Sequence, residues 1–198
     1  MVAGKEYPLD ILILSTGYDT PSIGSGSPAA RTGIEIYGRN ALSLNEKWQS
    51  HGAATLHGVC ANGFPNLFFA PLSQFSQAVN NVLTLEIGTE HATHIIGAAE
   101  AKVRGADAII EVTGEAEEAW SMEIVQHAAW FASVSGCTPG YITSEGEALR
   151  READPMLMMK KARSGNQSNG MAAFIKVLEA YRAEESLKGI EVTPVKAA

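Results

Sequence analysis

The chain has 198 residues, 45% hydrophobic and 19% charged, a composition that suits a folded globular protein and excludes a disordered one. Lys and Arg total 15 against 22 Asp and Glu, a formal charge of -7. That argues against nucleic acid and anionic membranes as partners, because both require clustered cations. Only two cysteines occur, Cys60 and Cys137, so a disulfide framework is excluded. With no signal-like apolar leader and no run near the ~20 residues needed to span a bilayer, the expected setting is the cytoplasm.

Residues 10–16, D-I-L-I-L-S-T, are a short continuous apolar run before Gly17, the pattern of a strand buried on both faces. Residues 18–33, with Pro21, Gly24, Gly26, Pro28 and Gly33, read as a loop, and 34–37 as a brief exposed strand. Ser43 is placed to cap a helical turn reaching Trp48, with Glu46 completing a capping box. Short strands are expected at 54–60 and 67–70, around a Gly63–Asn66 turn. A long helix is expected over 78–104, its stripe carried by Val79, Leu83, Ile87 and Ile95, with Gly105 as the stop. Residues 109–112 read as a strand. Thr113 then caps a helix through Trp120, Ile124, Ala128 and Phe131, ending before Gly136. Residues 137–170 form a long excursion with short helices near 147–152 and 156–163, and a last helix spans 171–187 with Phe174, Val177, Leu178 and Tyr181 on one face. Strands alternating with helices make an α/β pattern, which names no function by itself.

No self-contained active site emerges. His91 and His94 lie three apart on the long helix, whereas a helical zinc pair uses four; one exposed and one packed histidine is the plainer reading. Cys137 with His127 as base is a conceivable nucleophile, and a buried structural cysteine the commoner case. Gly24-Ser-Gly26 is a fragment of a dinucleotide fingerprint that opens no helix. The acidic run 115–118 reads as a solvated helix start, and Met156, Met158 and Met159 as packing of a short helix.

The spacing of less chemical motifs is more telling. Residues 10–19, D-I-L-I-L-S-T-G-Y-D, are followed by G-I-E-I-Y-G-R at 33–39, L-S-L-N-E-K-W at 42–48, T-L-H-G at 55–58 and G-F-P-N-L-F-F at 63–69. Further on stand V-T-G-E-A-E-E-A-W at 112–120, C-T-P-G-Y at 137–141 and F-I-K-V-L-E-A-Y-R at 174–182. In this order the series resembles the C-terminal segment of the Baeyer–Villiger-type (class B) flavoprotein monooxygenases.

The resemblance implies an FAD- and NADPH-dependent insertion of oxygen next to a ketone. It implies a partial Rossmann-like FAD-domain remnant of short buried strands and long helices over residues 1–135, with a loop-rich C-terminal extension ending in a helix over 136–198. It places Thr16, Gly17, Gly63, Asn66, Gln74 and Asn80 on the FAD side, and Cys137, Thr138 and Tyr141 on the NADP and substrate side. The stretch 73–80 takes the place of a loop and helix start beside the flavin, with Ala70, Pro71 and Leu72 where the family opens on glycine. Neither G-x-G-x-x-G motif of the family is present, nor its F-x-G-x-x-x-H-x-x-x-W signature, so no catalytic residue is identified. The implied partners are a ketone substrate and a chain supplying the N-terminal FAD and NADPH domains, without metal, nucleic acid or membrane. Three readings stay open: one part of a split monooxygenase, inactive alone; a repurposed cofactor-free isomerase, cyclase or binding protein using Phe75, Tyr141, His57 and His127; or a truncated product without function.

Overall fold

The computed structural model describes residues 4–15, 27, 29, 33–71, 73–104, 106–128 and 154–195. They form five α-helices and one small sheet: α1 (Leu44–His51), α2 (Asn81–Lys102), β1 (Ala108–Val112), α3 (Gly114–Gln126), α4 (Pro155–Arg163), α5 (Met171–Ala183) and β2 (Ile190–Pro194). The architecture is therefore mixed helix and strand. Strands β1 and β2 pair antiparallel, from Ala108 opposite Pro194 to Val112 opposite Ile190.

The helices start where their caps lie. Ser43 accepts from the Glu46 amide at the head of α1, Asn80 from Val82 at α2, Thr113 from Ala116 at α3, and Asp154 from Met156 at α4. Each satisfies one of the amides that a helix start leaves unpaired. Helix α5 follows Gly170, whose φ of 83° lies in the left-handed region. It ends at Ala183, short of the expected 187, and the chain turns to deliver β2.

The continuous apolar run fails as a buried strand. Residues 11–15 carry no helix, strand or turn, and Ile11, Leu12, Ile13 and Leu14 are 70–81% exposed. A strand apolar on both faces needs neighbours on both edges and cover above and below, and no described element supplies them. The strands expected at 34–37, 54–60 and 67–70 shrink to isolated bridges: Tyr37 with Ser43, Leu56 with Cys60, and Cys60 with Phe68. The expected stop at Gly105, the helix near 147–152 and the end of α3 past Ala128 lie outside the described residues.

Two clusters make the core. The larger joins Leu56, Val59, Phe75, Ile95, Ile110, Trp120, Ile124, Phe174 and Leu178 with others, and so unites the central loops, α2, β1, α3 and α5. The smaller holds Leu44, Trp48, Ala53, Ala61 and Phe64. The stripe that α2 buries differs from the expected one. Thr84, Ile87, Gly88, His91, Ile95 and Ala99 are inside, while Val79 is fully exposed and Leu83 partly so. A Cβ on Gly88 would run into the Pro71 ring, so glycine lets proline pack on the helix. On α5, Phe174 and Leu178 are buried but Val177 is 39% exposed. On α4 the methionines Met156, Met158 and Met159 face outward rather than into a core.

Candidate functional site

The motifs lock onto one another. The Arg39 amide donates to the Gly63 carbonyl at 2.8 Å, and a Cβ on Gly38 would collide with that oxygen. Arg39 also pairs with Glu111 on β1 at 2.6 Å. Lys47 on α1 reaches both carboxylate oxygens of Glu117 on α3 at 2.8 Å and the Asn62 carbonyl at the same distance. Glu117 is 7% exposed and also accepts from the Asn62 amide. The acidic run is thus not all solvated, because Glu117 is the buried half of an ion pair. Glu118 meets Arg163 through two parallel hydrogen bonds at 2.9 and 2.7 Å, and that bond holds its carboxyl below the usual range.

Asn66 stands at the turn with a left-handed φ of 58°, a conformation asparagine tolerates. Its amide donates to the Ile110 carbonyl, its Oδ1 accepts from the Ile110 amide, and its Nδ2 donates to the Ala108 carbonyl. Asn62 does the same for the Val112 carbonyl. The two asparagines therefore satisfy the free edge of β1. Gly63, at φ 84°, makes the turn that brings Asn66 there.

Gln74 is fully buried, with φ of 60°. Its Oε1 accepts from the Thr55 amide and hydroxyl at 2.8 and 2.7 Å. Its Nε2 faces the Ala53 carbonyl, the Ser121 hydroxyl and the Arg163 carbonyl at 2.8, 3.1 and 2.9 Å. Its own amide donates to the Gly165 carbonyl, and its carbonyl accepts from Trp120 Nε1. One side chain thus joins the central loop, α3 and the end of α4. Asn80, by contrast, is exposed at the first turn of α2.

Beneath this loop lies a histidine pair. His57 Nδ1 and His91 Nε2 are 3.1 Å apart, both buried, with the rings of Trp120 and Tyr181 edge-on to His57. Burial lowers the His57 pKa to about 4. Burial, then the nearby His57, Arg182 and His94, lowers that of His91 to about 3. Neutral imidazoles share one N–H between two nitrogens; burial disfavours a charge on either ring, and charging both would set two donors face to face. Cys60 is a buried thiol raised to about 12 by burial and by Glu117, hence unreactive. His91 is packed and His94 half-buried. Among the described residues no group of three or more His, Cys, Asp or Glu could hold a metal ion.

Of the residues expected on the FAD side, Gly63 and Asn66 sit together at the edge of β1, Gln74 lies inside, and Asn80 heads α2. Thr16, Gly17, Cys137, Thr138 and Tyr141 lie outside the described residues. Phe75 meets Phe174 edge-on in the core, and His57 is buried as well. The Lys47–Glu117 pair and the roles of Gln74 and Asn66 in binding backbone escaped the sequence. Their only signal was the recurrence of those residues within the motifs.

No protein-family model matches the chain. Over 193 residues, 98% of its length, it is 69% identical to a polycyclic ketone monooxygenase of Thermothelomyces thermophilus. It matches the C-terminal segment of the Baeyer–Villiger-type flavin monooxygenases. The chain is also 42% identical over 193 residues to an FAD-binding monooxygenase, prhK, of Penicillium brasilianum. It spans only 29% of the length of each of these relatives. The solved structure of the polycyclic ketone monooxygenase from the Thermothelomyces fungus superposes with a TM-score of 0.86 at 67% identity, covering 98% of this chain and 29% of that one. A steroid monooxygenase bound to NADP shares the fold, with a TM-score of 0.67 at 24% identity over 98% of this chain and 32% of its own. No helix among the described residues is long and apolar enough to cross a membrane.

Proposed function

We propose that this chain is the C-terminal component of a flavin-dependent Baeyer–Villiger-type monooxygenase and works with a polypeptide carrying the dinucleotide-binding motifs. The observation that supports it most is near-complete coverage of this chain at 69% identity against only 29% coverage of the relative. In this reading residues 1–135 complete a Rossmann-like FAD domain and 136–198 form an extension folded back on it. The reaction is oxygen insertion next to a ketone in the cytoplasm, and the chain alone is inactive.

Not every expected residue fits the flavin. Gln74 has its lone pairs and N–H groups spent on protein, and Asn66 is committed to β1. These two act by shaping the loop. The exposed first turn of α2, headed by Asn80, fits better, because amides at the positive end of a 22-residue helix suit a flavin oxygen. Bound FAD, reduced by NADPH, would supply the redox chemistry; this chain's residues would position one wall of the site and exclude water. Thr16 and Gly17 are proposed on the FAD side, and Cys137, Thr138 and Tyr141 on the NADP and substrate side.

Reconstitution tests the reading. The chain mixed with FAD should elute colourless. Co-expressed with the polycyclic ketone monooxygenase lacking its matching segment, it should give a yellow complex that consumes NADPH with a ketone. A stoichiometric flavoprotein from this chain alone would sink the proposal.

A further inference from the structure

We propose that Gln74 is a positioning residue of the flavin site, tying the loop that presents the head of α2 to residues 163–167 of the C-terminal extension. This rests on the function proposed above and names what fixes that wall of the site. Gln74 is fully buried, and its side chain has no bonding capacity to spare. Its Oε1 accepts twice from Thr55, and the two N–H bonds of Nε2 face the Ala53 and Arg163 carbonyls and the Ser121 hydroxyl. A glutamate there would lack the donors, and a leucine both donors and acceptors.

The backbone beside it is held as tightly. The Gln74 φ of 60° lies in the left-handed region, which a residue other than glycine keeps only where its surroundings enforce it. Alternate residues of one segment do so. The Arg163 carbonyl accepts from the Gln74 side chain, the Gly165 carbonyl accepts from the Gln74 amide at 2.9 Å, and the Gln167 amide donates to the Phe75 carbonyl at 3.3 Å. Gly58 closes the other side, where a Cβ would meet Phe75 and the Ser73 carbonyl. Gln74, Phe75 and Ser76 are thereby fixed inside, while Gln77, Val79 and Asn80 are exposed. The far end of the loop is pinned to the buried face of α2, because Thr84 Oγ1 accepts from the Ala78 amide at 3.1 Å. A shift at Gln74 therefore reaches the exposed amides at the head of α2 through residues 75–79 alone. A displacement of about 1 Å in a reacting geometry lowers a rate by about 100-fold.

The test uses Gln74→Asn, which keeps the amide but is one methylene too short to reach Thr55 and the Arg163 carbonyl together. Glu117→Ala serves as the control, since it destabilises the chain through Lys47 and Asn62, outside the loop. In the free 198-residue chain, Gln74→Asn should speed hydrogen exchange at Ala78 and Val82 by about 10-fold, and the control should leave both near the parent rate. Each chain is then co-expressed with the polycyclic ketone monooxygenase lacking its matching segment, and rates are counted per bound flavin. Gln74→Asn should lower kcat by about 10-fold or more, change KM for the ketone less than about twofold, and shift the visible flavin absorption. The control should give less complex with the parent kcat and spectrum. If Gln74→Asn yields no folded chain, Thr55→Val, which removes one bond to Oε1 and keeps the shape, should lower the same kcat by about threefold. A parental kcat and spectrum in the folded Gln74 variant, or in Thr55→Val where that variant takes its place, would overturn the positioning role and leave the proposed function standing. An equal fall in the control would reduce the effect to stability and overturn it likewise. Absence of any flavin complex with the parent chain would overturn the proposed function and this role with it.

Discussion

At the scale of single residues, the burden falls on buried polar side chains. Gln74→Leu keeps the volume but strands the Thr55 amide and the Ala53 and Arg163 carbonyls inside the protein. Leaving buried groups unpaired costs about 1–3 kcal/mol each, so the variant should lose roughly 3 kcal/mol or more in urea unfolding. Glu117→Ala removes the partner of Lys47, which is 15% exposed. An uncompensated cation at that depth should cost about 3–5 kcal/mol in the same measurement. His57 and His91 give the chain a pH dependence. Their folded pKa values, about 4 and about 3, lie below the ordinary 6.5, so the unfolded chain binds more protons in acid. Their contribution is fully present above pH 6.5 and is lost as pH falls toward 4. The thermal midpoint should fall between pH 6.5 and 4, and His91→Gln, which cannot take up that proton, should flatten the fall. An unchanged slope would remove the pair from the account.

Among the elements, β1 matters most. It is held on one side by β2 and on the other by asparagine side chains rather than by a third strand. Asn66→Ala opens that edge and should cost about 1–2 kcal/mol, with faster hydrogen exchange at Ile110. The face that α2 buries tells a second lesson. Gly88→Ala is favourable for an isolated helix, yet here the methyl meets Pro71. It should destabilise by about 1–3 kcal/mol despite the better helix propensity. Capping was legible beforehand, since Ser43, Thr113 and their partners act within four residues of chain. The stripe was not, because Thr84, Gly88 and His91 are not apolar, and only their partners, the Ala78 amide, Pro71 and His57, explain why they are inside.

The molecule as a whole sets a closed core beside bare apolar side chains. Its core spans residues from Leu56 to Ile190, so β2 and α5 close onto β1, α2 and α3. Outside that core stand the aliphatic run 11–14 and the outward methionines of α4. An apolar dye such as ANS should therefore bind the folded chain at neutral pH, and lose part of that signal when Leu12 and Ile13 become lysine.

By itself the sequence determined helix α2, the strand at β1, the caps of α1 and α3, and the order of motifs that led to the family. Those features depend on neighbours close in the chain or on residue identity. The tertiary structure alone decided that the aliphatic run is bare, that Gln74 and Asn66 serve the backbone, and that β2 returns to pair with β1. The last two join segments tens of residues apart, and the first is the lack of such a neighbour among the described residues. Whether a side chain finds a partner there depends on packing that no local pattern encodes.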